Sequence, residues 1–246
     1  MSHDIELINK ILRYMIRINY DRLHKAQQLM KENGMIGIMI MNYDDYRYFF
    51  GDIRVQPRAI IPYEGEPVFI IMSSEEEEMR SQIPDAQIKV SSHVGEQMSN
   101  VRKTFLSLIE SPPEGIIPSA DGKFRVGMQM WFHTPAFLVD MFRKTNSQVM
   151  LVPSDPVIDK LRMVKDLDEI ELMRKAQSIA AQGMMKAKEM LKPGVTGHEI
   201  ATEVIYTMMK NGAEGTSTPI HINIGLQSNW VHGKVSIDPA KEGDMV

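Results

Sequence analysis

Up to about residue 152 the chain alternates short apolar runs with amphipathic stretches, and beyond that point long helical periods take over. A short apolar run bounded by turn residues fits a buried strand; apolar residues at every third and fourth position fit a helix packed by one face. Alternation of the two dictates a layered α/β domain, because each buried strand has to be covered by helices on the sheet faces. The run Met35-Ile-Gly-Ile-Met-Ile-Met41 is the clearest strand. Before it, Ile5, Ile8, Leu12, Met15 and Ile16, then Leu23, Ala26, Gln27 and Met30, predict helix up to a stop at Asn33-Gly34. After it, Tyr46-Arg-Tyr-Phe-Phe50 predicts a second extended segment closing at Gly51-Asp52. Ala59 to Tyr63 and Pro67 to Met72 flank Glu64-Gly65-Glu66 as a hairpin.

Ser73-Ser74 predict a cap for a helix opening on Glu75 to Glu78. Carboxylates suit the positive end of a helix dipole, so this run is read as a solvated face, not a metal or partner site. Strands are then predicted at Ile88 to Val90, Phe124 to Met128 and Val149 to Val152, with helices at Val101 to Ile109 and Pro135 to Lys144. The change of character places a domain boundary at 153–160, dividing the chain into 1–155 and 156–246. In the second part Glu169 to Leu191 carries Ile170, Met173, Ala176, Ile179, Ala180 and Met184 on one helical face. Thr196 and Glu199 form a capping box for a further helix ending at Asn211-Gly212, and Ile220 to Ile224 reads as a strand.

Composition removes several functions. Lysine and arginine number 28 against 32 acidic residues, and a net charge of −4 provides no field for phosphate backbones, so no nucleic-acid partner is expected. The chain contains no cysteine, which excludes disulfides, thiolate catalysis and cysteine zinc sites and fits a cytoplasmic location. Met1 to Tyr20 mixes charges into its apolar residues, so neither a leader nor a membrane contact is expected. Neither GxGxxG nor GxxxxGK[ST] occurs, which leaves nucleotide binding unsupported. The 21 methionines scatter over predicted core positions, where a flexible thioether fills gaps.

Three segments of the second half resemble the pita-bread metallopeptidase family, which includes Xaa-Pro aminopeptidases, prolidases, methionine aminopeptidases and creatinase. They are Arg162-Met-Val-Lys165 with Glu169-Ile170, Met173-Arg174 and Ala176; Lys192-Pro-Gly-Val-Thr-Gly-His-Glu-Ile-Ala201; and Gly225 with His232, followed by Gly243-Asp-Met-Val246. The first half resembles the creatinase-type N-terminal domain through Arg22-Leu23, Met35 to Met41, Tyr48-Phe-Phe-Gly51 and Gly65-Glu-Pro-Val68. The resemblance implies a three-layer α/β domain followed by an incomplete α+β pita-bread domain. It implies hydrolysis of peptide bonds adjacent to proline, by an enzyme that works as a homodimer on a peptide substrate. A creatinase-like amidinohydrolase acting without metal, and a binding module that has lost its ligands, are the alternatives.

The resemblance also implies two divalent metal ions (Mn, Co or Zn) in the full-length protein, holding a water made nucleophilic at neutral pH. In the family the first ligating aspartate follows the Asp of Gly-Asp-x-Val by five residues, at about position 249 here, so residues 1–246 alone are expected to bind no metal pair and to be inactive. Asp244 matches a structural position, not a ligand. His232 matches the family's active-site histidine, suited to contact substrate and move a proton. Its flanks depart from the pattern. Gln227 stands where asparagine is usual, and Val231 and Val235 where prolines are common, which leaves substrate preference open. His221 is expected to be paired within its strand; His3, His24, His93, His133 and His198 share no spacing and are read as surface or structural.

Overall fold

Strand β1 (Met35–Ile40) is buried along its whole length, as a run apolar at nearly every position demands. Around it a computed structural model, describing residues 16–51, 54, 57–130, 134–231 and 233–246, builds a six-stranded mixed sheet. The other strands are β2 (Ala59–Pro62), β3 (Val68–Met72), β4 (Gln87–Ser91), β5 (Phe124–Met128) and β6 (Val149–Pro153), in the order β4-β3-β2-β1-β5-β6. The β2–β3 hairpin is antiparallel to itself and to β1, whereas β4, β5 and β6 join as parallel neighbours. Alternate residues separate the two faces, as a pleat of period two requires. Ala59, Ile61, Phe69 and Ile71 enter one core and Ile60, Val68 and Ile70 the other.

Helices cover both faces. Helix α1 (Tyr20–Glu32) contributes Leu23, Ala26 and Met30 to the first core, and α2 (Tyr43–Phe50) contributes Tyr46, Phe49 and Phe50. After the short α3 (Glu76–Gln82), α4 (Val94–Glu110) and α5 (Ala136–Thr145) cover the opposite face through Val101, Phe105, Val139 and Phe142. Each fully buried side chain of this size contributes about 1.5–3 kcal/mol. The three-layer α/β expectation is what the structure shows.

Four expectations change. The segment 46–50 is helix, not strand. Asn42 caps it by accepting from Asp45 N, and Gly51 ends it in the left-handed region at φ 75°, which only glycine enters without strain. The aromatic run that mimics a strand supplies one helical face. Ser73-Ser74 do not cap α3; they lie in a 3₁₀ turn (Ser73–Glu75), and Glu75 instead accepts from Met72 N at 2.9 Å. The glutamate run is not simply solvated, since Arg54 Nη1 lies 2.9 Å from Glu75 Oε1 and its Nη2 lies 3.4 Å from Glu78.

The fourth change concerns the boundary. The chain divides into Met1–Val164 and Lys165–Val246. Helix α6 (Asp155–Met163) buries Val157 and Ile158 in the first core, so it belongs with the first unit, and the boundary falls after the expected 153–160. Met1 to Met15 of the predicted first helix, with His3, lie outside the described residues.

The second unit holds α7 (Leu167–Met190) and α8 (Gly197–Lys210). Its core is Val195, Ile200, Val204, Ile224 and Ala240. Of the stripe predicted along α7 only Ile179 is fully buried; Met173 and Met184 are 57% and 71% exposed. No helix among the described residues is long and apolar enough to cross a membrane.

Candidate active site

The turn before α8 organises the second unit. Thr196 caps α8, its hydroxyl accepting from Glu199 N at 3.2 Å, while Glu199 reaches back to accept from Thr196 N at 2.8 Å. That backbone donor holds the Glu199 carboxyl below the usual carboxylate range. One residue on, a Cβ at Gly197 would stand 2.6 Å from Ile222 O, inside contact distance, so only glycine lets the helix start approach the 222 backbone. The turn also pairs with the end of the chain: Gly194 N donates to Ala240 O and Ala240 N to Val195 O, both at 2.8 Å.

Residues 220–224 are extended at Ile224 but form no ladder, contrary to the predicted strand. Two of their backbone groups bond to Ser236 instead of a neighbouring strand. Ser236 N donates to Ile222 O, and Ile224 N donates to Ser236 Oγ, both at 3.0 Å. Side chains of this segment still alternate. His221 and Asn223, two positions apart, reach the same loop: His221 Nδ1 donates to Gly233 O at 3.0 Å and Asn223 Nδ2 donates to Trp230 O at 3.3 Å. These two carbonyls bracket position 232 in sequence. His232 itself lies outside the described residues, as does His133. His221 is thus paired with the loop, not within a strand.

The Gly225–Met245 contact closes the other side. Gly225 N donates to Met245 O at 2.8 Å, and Ser228 Oγ lies 2.7 Å from Gly225 O and 2.9 Å from Met245 O, sharing its proton between them. Asp244 accepts from Lys241 N at 2.8 Å, a turn-forming role. A cleft of about 620 Å³ opens beside this clasp, lined by Gln227, Trp230, Gly233, Lys234, Val235 and Ile237.

The remaining histidines have local roles. His93 Nδ1 accepts from Glu96 N at 3.3 Å and caps α4; His24 lies beside the Tyr20 ring; His198 uses its backbone N–H, donating to Ser236 O at 3.0 Å. Among the described residues no three His, Asp or Glu side chains converge in a way that could hold a metal ion. The described residues therefore do not supply the ligand set of a two-metal group. Ser236 carried no sequence signal, since a lone serine between apolar positions resembles any loop residue.

The geometry gathers the second and third resembling segments into one unit, and comparison with known proteins agrees with that. Residues 22–164 match the Creatinase/Prolidase N-terminal domain. The chain belongs to this family. Residues 171–246 further match Metallopeptidase family M24. An Xaa-Pro dipeptidase of Pyrococcus furiosus is 26% identical over 229 residues, covering 92% of this chain and 59% of the relative. An uncharacterized peptidase of Bacillus subtilis, YqhT, is 25% identical over 228 residues with the same coverage. Among solved structures, a prolidase from Thermococcus sibiricus superposes with a TM-score of 0.74 at 22% identity, over 93% of this chain and 60% of that one. The chain thus spans about three-fifths of the length of these two relatives.

Proposed function

We propose that this chain acts within a metal-dependent peptidase that cleaves peptide bonds next to proline, with His232 at the active site. The observation that carries the reading is the bracket around position 232, held by His221 and Asn223 beside a cleft of about 620 Å³. A loop fixed at both ends is what a proton-moving histidine needs, because a misplaced base loses its contact with the reacting group. Membership of the creatinase/prolidase N-terminal family and the match to a metallopeptidase family support the same chemistry. A divalent pair would supply the nucleophilic water. The identity of that metal, a cytoplasmic location and a homodimer belong to the proposal.

The test uses the protein at the full length of its relatives, loaded with manganese or cobalt. Cleavage of Xaa-Pro dipeptides in preference to matched peptides without proline supports the reading. His232→Ala should lower kcat at least about a hundredfold, the usual loss when a general acid or base is removed. Equal cleavage of both peptide sets would overturn the substrate assignment; an unaffected His232→Ala would overturn the role of the histidine.

A further inference from the structure

The Gln227 side chain is oriented by a residue that never reaches the cleft. Ser236 is buried and its Oγ already accepts the Ile224 N–H, so its own proton requires an acceptor. Gln227 Oε1 is that acceptor. The flip of an amide is normally ambiguous, but here the buried hydroxyl decides it: oxygen faces Ser236 and Nε2 faces away. Gln227 lines the cleft, and its Nε2 makes no hydrogen bond among the described residues and is not among their buried orphan atoms. Two N–H donors are therefore fixed at the cleft wall, open to a ligand.

The rest of the lining defines the ligand. Lys234 is exposed there and forms no ion pair among the described residues, and no carboxylate side chain lines the cleft. Trp230, 57% exposed, with Val235 and Ile237, gives the same wall an apolar, aromatic surface. Amide donors and an ammonium next to an apolar wall complement an anionic acceptor attached to an apolar group. We propose that Gln227 and Lys234 recognise the free carboxylate of a short peptide whose apolar residue packs on Trp230, Val235 and Ile237. This deepens the peptidase reading, and rests on it for the identity of the peptide. Gln227 would then set a preference for free over blocked C-termini.

Binding to residues 1–246 tests the proposal separately from hydrolysis. The dipeptide Leu-Pro and its C-terminal amide are titrated into wild type, Gln227→Leu and Gln227→Glu, with amide chemical shifts of the 225–237 segment as the readout. Wild type should bind the free acid at least about threefold more tightly than the amide. Gln227→Leu should lose about three- to tenfold for the acid, the loss of one hydrogen bond, and leave the amide unchanged. Gln227→Glu keeps an oxygen for Ser236, hence the local fold, and should reverse the preference by presenting a carboxylate. Equal binding of acid and amide to wild type, no binding of either, or variants that keep the wild-type preference would each overturn the proposal. If the preference is found but the full-length protein cleaves no proline peptide, the peptidase reading fails and the carboxylate subsite stands.

Discussion

Arg162 donates through Nη1 to Asp45 Oδ1 at 2.9 Å, tying the last helix of the first unit to a carboxylate buried 117 positions earlier. Asp45 is 1% exposed, and Asn42 Nδ2 donates to its other oxygen at 2.5 Å. Removing Arg162 leaves that charge without its cation. A hydrogen bond to a charged group is worth about 1.5–3 kcal/mol, reduced here because the arginine is 41% exposed. Arg162→Ala should therefore destabilise the first unit by about 1–2 kcal/mol in urea unfolding. In the Asp45→Asn background the same substitution should cost much less, and equal costs in both backgrounds would show that the pair is not coupled.

The same carboxylate predicts a pH dependence. Burial pushes the Asp45 pKa above its ordinary value of 3.8, against the opposing pull of Asn42 and Arg162. A folded-state pKa above the unfolded one means that the folded protein binds the proton more tightly. The resulting stabilisation is fully present below the unfolded value and is lost as pH rises through the raised one. Wild type should accordingly gain on Asp45→Asn as the pH falls from 7 toward the ordinary carboxylate range. Unfolding midpoints of both proteins at neutral and mildly acidic pH measure this. A gap that stays constant, or moves the other way, would contradict it.

Gly197 gives the sharpest steric test. An alanine Cβ there would lie 2.6 Å from Ile222 O and 3.0 Å from Ser236 O, both backbone atoms that cannot rotate aside. Gly197→Ala should destabilise the second unit by about 1–3 kcal/mol, the usual cost of overpacking. Gly215→Ala, with nothing within 4 Å, is the control and should be nearly neutral. The readout is amide exchange in α8 and at 222–224; equal protection in both variants would remove the close approach as the reason for glycine.

The hairpin of β2 and β3 and the capping box at Thr196 and Glu199 are legible in the sequence because local chemistry and tertiary packing ask for the same residues there. The α2 segment resembles a strand in sequence because Tyr46, Phe49 and Phe50 are strand formers by propensity, and the cues that decide, Asn42 as cap and Gly51 as stop, lie outside the aromatic run. Arg162 stands within a resembling segment, but nothing local tells which unit it serves, since its partner Asp45 lies far away in sequence. At the candidate site the spacing of Gly225 and His232 was readable, while the grip of His221 and Asn223 on the loop was not. It depends on an extended segment whose backbone at Ile222 and Ile224 bonds to Ser236 instead of a neighbouring strand.

Metal binding by residues 1–246 should be weak. A two-metal site needs several carboxylate or imidazole ligands converging at about 2.0–2.2 Å, and no such group of three exists among the described residues. Manganese added to this chain and removed by a desalting column should leave well under one equivalent by elemental analysis. Retention of two equivalents would overturn the expectation.

The bracket around position 232 yields a prediction about the loop itself. His221 Nδ1 has to carry a proton to donate to Gly233 O. Holding the loop should then require the ring nitrogen. His221→Phe keeps the ring and removes the donor, leaving a carbonyl of the buried Gly233 without its partner. Asn223→Ala removes the second anchor, to Trp230 O. Each variant should raise amide exchange of Gly233 and Lys234 by about three- to tenfold, corresponding to one hydrogen bond, with α7 unaffected. The double variant should exceed either single one, because the anchors act on opposite ends of the same short loop. In the full-length protein both variants should lower kcat more than they raise KM if His232 acts from this loop, since a mobile base loses transition-state contact before it loses substrate. Unchanged exchange at 233 and 234 would mean that the loop is held by its own turn, and that the two side chains only fill space beside it.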